Sequence, residues 1–357
     1  MTSPRVLIMA GGTGGHVFPA LAVADALRSD GCDVQWLGTQ RGIESQLVPA
    51  AGILLNVIKV EGLRGKGLAN LLLAPAKLLV SLVQAAKVLR RTKPKLVLGF
   101  GGFASGPGGL MAWLFGIPLI IHEQNARVGT TNQLLSKVAS RRLEAFDSGM
   151  AKAETVGNPV REDICSLPTP DVRFKDRQGP LRVLVLGGSL GAQFINDLLP
   201  KTIALLPEGR LTVYHQAGAK HFDICGHAYR AAGLENVRLV PFITDMAEAY
   251  GWADVVICRS GALTVSEISV AGLPAIFIPF PFAIDDHQTA NANWLVQHKA
   301  ALVKQQSELT PASLADLLTH QFADRKLLLD MALNARAQAK AGAAQAVAKI
   351  CQEVLRD

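Results

Sequence analysis

The sequence predicts an α/β protein made of two doubly wound, parallel-sheet domains, and three observations carry that prediction. The apolar run Val6-Leu7-Ile8-Met9-Ala10 enters Gly11-Gly12-Thr13-Gly14-Gly15 and then a helix-like segment at 18–27. The same order returns in the second half, where Leu181-Arg182-Val183-Leu184-Val185-Leu186 enters Gly187-Gly188-Ser189-Leu190-Gly191 and a helix-like segment at 192–199. Elsewhere short β-branched or apolar runs alternate with helix-length segments, the pattern of βαβ units. A chain of 357 residues is long enough for about two domains, each burying its own core.

Taken in order, the first half supplies further strands at 34–37, 96–99 and 119–121, and the second half at 211–214, 237–240, 255–258 and 275–278. Between them, residues 167–180 hold Pro168, Pro170 and Pro180 among mixed charges and read as a linker. The expected domains are therefore 1–165 and 166–340. The tail at 335–355 is Ala-rich, interrupted only by Gly342, and reads as a closing helix. Residues 341–357 are expected to pack back toward the N-terminal domain.

Composition narrows the class. Hydrophobic residues make up 49% and charged residues 18%, which is globular rather than disordered. The five cysteines, Cys32, Cys165, Cys225, Cys258 and Cys351, lie far apart with no C-x-x-C pair, arguing against a disulfide framework or zinc site and for a reducing cytosol. The opening Met-Thr-Ser-Pro leaves no room for a signal peptide before the strand-like run at Arg5. The oiliest segment, 71–82, is broken by Pro75 and Lys77 and falls short of the roughly 20 apolar residues that spanning needs. Any membrane contact is expected to be peripheral.

The net charge of +7 sits in the first half, where residues 1–160 carry 17 basic and 9 acidic side chains. Residues 59–95 alone hold nine basic residues against the single acid Glu61. In that stretch Leu68, Leu71, Leu72, Leu79, Leu82 and Leu89 recur at helical spacing, with Lys77, Gln84, Lys87 and Arg91 on the other side. One reading is a helix packed on a sheet with its charges solvated. The other is a surface held to anionic lipid, for which Leu72, Lys77, Leu79, Leu82 and Trp113 are the candidates. No nucleic-acid motif accompanies the charge and only 6% of residues are aromatic, so nucleic acid is not expected as a partner.

A glycine loop between strand and helix points backbone N–H groups at the helix N-terminus, where a diphosphate is the natural ligand. Specific nucleotide folds are excluded by spacing. A G-x-G-x-x-G fingerprint needs glycine where Val17 stands, and no acid closes the run at 34–38 to hold a ribose. Neither loop has the Gly-Lys-Ser/Thr of a P-loop, and His122-Glu123 lacks the second histidine of a zincin, Ala126 standing there. With no Asp-x-Asp, phosphate charge falls to helix ends and side chains, and neither metal nor cofactor is expected.

Six motifs, in order along nearly the whole chain, resemble one family. They are Gly11-Gly12-Thr13-Gly14-Gly15-His16-Val17-Phe18-Pro19, Gly62-Leu63-Arg64-Gly65-Lys66-Gly67, His122-Glu123-Gln124-Asn125, Gly157-Asn158-Pro159-Val160-Arg161, Arg259-Ser260-Gly261-Ala262-Leu263-Thr264-Val265-Ser266-Glu267 and Asp286-His287-Gln288-Thr289. The sequence resembles the bacterial lipid II-forming N-acetylglucosaminyltransferases. That resemblance implies a GT-B fold of two Rossmann-like domains around a cleft. It also implies the donor UDP-GlcNAc and the acceptor lipid I, reached at the cytoplasmic face of the inner membrane, with cell-wall synthesis and division proteins as neighbours. Formation of a β-1,4 bond from an α-linked donor implies inversion.

Carried over from the family, the backbone at Ile243 meets uracil and Glu267 accepts both ribose hydroxyls, a carboxylate suiting a diol because it only accepts. Ser189 and the helix start at Ala262, Leu263, Thr264, Val265 and Ser266 receive the diphosphate. Thr13, Gly14, Gly15, Asn125 and Gln288 lie near the GlcNAc, and Arg161 completes the donor pocket. For the base that takes the acceptor proton, His16 leads and Glu123 is the rival. A capping or acceptor-binding histidine and a backbone-bonded structural carboxylate are their respective alternatives. Asp285, Asp286 and His287 are adjacent and read as loop chemistry rather than a metal site. The competing functions are another UDP-sugar enzyme such as a UDP-GlcNAc 2-epimerase, and a non-catalytic nucleotide-sugar sensor docked on a membrane.

Overall fold

The computed structural model describes residues 3–60, 74–188 and 191–356, together with the backbone but not the side chain of Ile284. The chain divides into two compact units, Met1–Arg161 with Gly342–Asp357, and Glu162–Ala341. In the first unit β1 (Arg5–Met9), β2 (Asp33–Gly38), β3 (Leu54–Val57), β4 (Leu96–Gly99), β5 (Leu119–Glu123), β6 (Arg141–Glu144) and β7 (Glu154–Thr155) form a parallel sheet. Their order is β3-β2-β1-β4-β5-β6-β7. In the second, β8 (Leu181–Leu186), β9 (Leu211–Gln216), β10 (Val237–Val240), β11 (Val255–Cys258), β12 (Ala275–Phe277) and β13 (Ala301–Val303) run parallel in the order β10-β9-β8-β11-β12-β13.

Successive side chains on a strand point to opposite faces. In β1, Val6 and Ile8 join Val17, Val23 and Leu27 of helix Gly14–Ser29 on one face. Leu7 and Met9 join Val88 and Leu89 of helix Ala74–Thr92 on the other. A sheet covered on both faces demands strands apolar at every position, which is why β1 shows no polar alternation. The second unit repeats the plan, with Val183, Val185, Val213, Val255 and Ile257 packed against Ile195, Leu199, Leu328 and Met331.

The unit boundary falls four residues ahead of the sequence expectation, because helix Glu162–Cys165 packs with helices of the second unit. The stretch expected to be a linker is structured. It contains helix Pro170–Phe174. Arg173 donates to the carbonyls of Tyr250, Ala271 and Gly272. Arg177 lies 2.7 Å from the buried Asp254, which also receives Arg325 at 2.7 Å. These bonds pin residues 170–177 to the second unit. The tail, too, departs from the single expected helix. Arg325–Ala337 and Ala343–Arg356 are separate helices, with Gly342 at φ +79° between them. The second inserts Ala344, Val347, Ala348 and Cys351 into the core of the first unit, beside helix Gly14–Ser29.

Helix Ala74–Thr92 divides the leucine stripe between the core and the surface. Its buried residues are Ala74, Ser81, Ala85, Val88, Leu89 and Thr92. Leu79 is 62% exposed, with Leu78, Val80 and Val83 exposed as well and Leu82 half-buried. The stripe therefore rotates out of the core toward the N-terminal end of the helix. Helix Ser105–Leu114, packed alongside, adds exposed Trp113 and Leu114. Leu72 and the Gly62 to Gly67 motif lie outside the described residues. No helix among the described residues is long and apolar enough to cross a membrane.

Candidate active site

In a doubly wound sheet, ligands bind at the carboxyl ends of the strands where the strand order reverses. That point lies between β1 and β4 in the first unit and between β8 and β11 in the second. Of the predicted residues, Thr13, Gly14, Gly15 and His16 follow β1 and residues 262–267 follow β11, whereas Glu123 and Asn125 stand at the end of β5, Ile243 follows β10 and Gln288 follows β12.

In the first unit the loop after β1 rests on a residue the sequence reading missed. Glu44, fully buried at the start of helix Glu44–Ala50, accepts from Gly12 N at 3.0 Å, Thr39 N at 2.9 Å and Thr39 Oγ1 at 2.7 Å. A Cβ on Gly42 would stand 1.9 Å from Glu44 Oε2, so the turn closes around the carboxylate only with glycine there. A second glycine loop follows β4. Gly102, at φ +83°, approaches Gly11 so closely that a Cβ would lie 2.5 Å from its carbonyl oxygen. His16, half-buried in the first turn of Gly14–Ser29, lays its ring over Gly101, and its Nδ1 is 3.4 Å from Thr13 Oγ1. If Nδ1 donates to that hydroxyl, Nε2 carries the lone pair a base requires.

Glu123 ends β5 nearly fully buried, with four donors on its carboxylate. Oε1 receives Asn125 N at 3.0 Å and Asn125 Nδ2 at 3.1 Å, while Oε2 receives Gly129 N at 3.0 Å and Asn132 Nδ2 at 2.9 Å. It organises the turn that presents Asn125. Its neighbour His122 donates from Nε2 to Gly157 O at 2.9 Å, accepts from Gln124 Nε2 at 3.1 Å on Nδ1, and stacks on Phe100. Burial pushes its pKa down to about 4, so the ring is neutral at physiological pH. The bond to Gly157 ties the β5 turn to the segment ending at Arg161, whose guanidinium lies over Phe18, 5.8 Å from the ring centroid. Thr13, Gly14, Gly15, His16, Glu123, Asn125 and Arg161 are thus tied into one region of this unit.

In the second unit helix Ala262–Ala271 begins at Gly261 with no side-chain cap, leaving its first N–H groups to an external acceptor. Ala262, Val265, Ser266 and Glu267 are buried, and Leu263 and Thr264 half-buried. Tyr250 donates its hydroxyl to Glu267 Oε2 at 3.0 Å, fixing that carboxylate one turn into the helix. Gln288 accepts from Phe280 N at 2.9 Å. Arg259 donates to Ile278 O, Pro279 O and Gln306 Oε1, bracing the β11 and β12 ends together. Ile243 is buried, and its N–H is 2.9 Å from Gln216 Oε1. Ser189 lies outside the described residues. Among the described residues no group of three or more His, Cys, Asp or Glu side chains could hold a metal ion.

Two parallel α/β units, each with a strand-order reversal and the second with an uncapped helix start beside a buried carboxylate, have the architecture of a GT-B enzyme, and similarity to known proteins makes the class a glycosyltransferase. The comparisons agree. Residues 6–143 match the glycosyltransferase family 28 N-terminal domain and residues 182–348 its C-terminal domain, so the chain belongs to glycosyltransferase family 28. It is 54% identical over 354 residues to the UDP-N-acetylglucosamine--N-acetylmuramyl-(pentapeptide) pyrophosphoryl-undecaprenol N-acetylglucosamine transferase of Nitrosococcus oceani, covering 98% of each chain. The crystal structure of Acinetobacter baumannii MurG matches with a TM-score of 0.85 at 42% identity, covering 98% of this chain and 99% of that one. The kitacinnamycin glycosyltransferase, at 16% identity and a TM-score of 0.72, covers 99% of this chain and 100% of its own and shares the fold.

Proposed function

We propose that the protein transfers GlcNAc from UDP-GlcNAc to the C4 hydroxyl of MurNAc in lipid I, giving lipid II for peptidoglycan synthesis. The observation that carries this reading is the second unit's switch point, where an uncapped helix start stands one turn from a buried, Tyr250-oriented carboxylate. That pairing suits a nucleoside diphosphate: N–H groups and the helix dipole for the phosphates, an acceptor-only group for the ribose diol. The relatives that match over nearly their full length, at 50–54% identity, carry this activity in their names.

His16 takes the proton from the C4 hydroxyl while its oxygen attacks the anomeric carbon. The bond from that carbon to the UDP oxygen breaks with inversion, and UDP departs with the electron pair. The helix start at Ala262, together with Ser189, meets its charge. Glu267 holds the ribose and Ile243 the base; Thr13, Gly14, Gly15, Asn125, Arg161 and Gln288 contribute to the sugar and donor contacts. Glu123 serves as a positioning residue: with four donors on its carboxylate, taking a proton would cost the turn its hydrogen bonds.

The exposed Leu78, Leu79, Val80, Val83, Trp113 and Leu114, beside exposed Lys77, Lys87 and Arg90, fit peripheral docking on anionic lipid at the cytoplasmic face of the inner membrane. The test is UDP release from UDP-GlcNAc with and without a lipid I analogue. Release that depends on the analogue, with a β-linked disaccharide as product, is expected. Conversion of donor alone to UDP-ManNAc, or donor binding with no acceptor-dependent release, would contradict the reading.

A further inference from the structure

Gln216 stands outside every motif considered above, yet its side chain joins two pieces of the donor pocket. It is the last residue of β9, 4% exposed, and its register partner is Leu186, the last residue of β8. Its Oε1 accepts from Ile243 N at 2.9 Å and its Nε2 donates to Gly188 O at 3.1 Å. Its backbone carbonyl also accepts from Gly187 N at 3.1 Å. One buried amide therefore fastens the loop that leads into Ser189 to the segment that carries Ile243, residues separated by 55 positions in the chain.

We infer that Gln216 is a positioning residue for the nucleotide donor, holding the phosphate-side loop and the base-side segment at one fixed spacing; this rests on the donor-pocket reading above. The chemistry selects a primary amide. The Ile243 site needs an acceptor and the Gly188 site a donor, and among side chains of this length only glutamine offers both at one planar group. A ligand spanning both sites gains from their fixed spacing, because neither loop must be ordered when it binds. A ligand touching only the base site gains little. Gln216 should thus matter for UDP and far less for uridine, a distinction that general loosening of the unit would not produce.

The experiment measures binding of UDP and of uridine by calorimetry to the full chain and to Gln216→Met, which keeps the volume and loses both hydrogen bonds. Gln216→Glu is the second variant, keeping the acceptor for Ile243 N and losing the donor for Gly188 O. Melting temperatures of all three report folding. For Gln216→Met the expected result is UDP affinity weakened about tenfold, the scale of one or two hydrogen bonds, with uridine affinity within about twofold. In turnover, KM for UDP-GlcNAc should rise by a similar factor while KM for the acceptor and kcat stay near their original values. Gln216→Glu should show the same loss for UDP. Unchanged UDP affinity in both variants, or equal loss for UDP and uridine, would overturn the inference while leaving the donor pocket standing. Failure of the unaltered protein to bind UDP would instead overturn the donor-pocket reading and the inference with it.

Discussion

His16 and Glu123 are rivals for one role, and the four donors already on the Glu123 carboxylate separate them. Glu123 has both oxygens engaged by donors from Asn125, Gly129 and Asn132. His16 is half-buried at a helix entry, with a hydroxyl beside Nδ1. His16→Ala is accordingly expected to lower kcat by about 10²–10⁴, the range for losing a general base, with the KM for UDP-GlcNAc changed only slightly. Steady-state kinetics with a lipid I analogue checks this, and near-normal kcat would remove His16 from the role. Both candidates were legible because they sit inside motifs. Glu44 and Gln216 were not. Each bonds mainly to backbone groups, and their partners Gly12, Gly188 and Ile243 lie 32, 28 and 27 residues away, brought close only by the fold. No local spacing signals these distant contacts, although Glu44 also bonds Thr39 five residues before it, and Gly38 and Gly42 record the space it needs.

Elements were legible where composition and burial agree. The strands flanking both switch points, β1, β4, β8 and β11, are nearly continuous apolar runs because both faces are covered. Toward the far edge that constraint relaxes, and β6, reading Arg-Arg-Leu-Glu, carries no apolar signature; β7 has two residues and β13 three. For helix Ala74–Thr92 the sequence left two readings open for a related reason. Leucine spacing reports a helical face but not which neighbour meets it, and here the small residues Ala74, Ser81 and Ala85 face inward while Leu79 and Val80 face out. An exposed apolar ridge flanked by cations suits the proposed docking on lipid, where each cation near the headgroups would contribute about 1 kcal/mol. Sedimentation with vesicles should therefore rise with anionic lipid, fall with salt, and weaken on Leu79→Asp. Indifference to all three would count against membrane docking by this helix.

For the whole molecule, duplication of the strand–glycine–helix order predicted two doubly wound units, and the paired sheets with their two reversals of strand order bear that out. The final helix returns to the first unit through the break at Gly342, a decision made by the fit of Ala344, Val347 and Cys351 into that core rather than by helix propensity. Belonging to glycosyltransferase family 28 sets the chemistry; the central proposal is that Glu267, one turn into the uncapped helix of the second unit, holds the nucleotide's ribose with no metal ion. The most direct test is calorimetric titration of UDP into the full chain and into Glu267→Ala, in buffer containing EDTA. The unaltered protein is expected to bind despite the chelator, and the variant to bind at least about tenfold more weakly through loss of charge-assisted hydrogen bonds to the ribose. Equal affinity of the two proteins, or binding abolished by EDTA, would contradict that proposal.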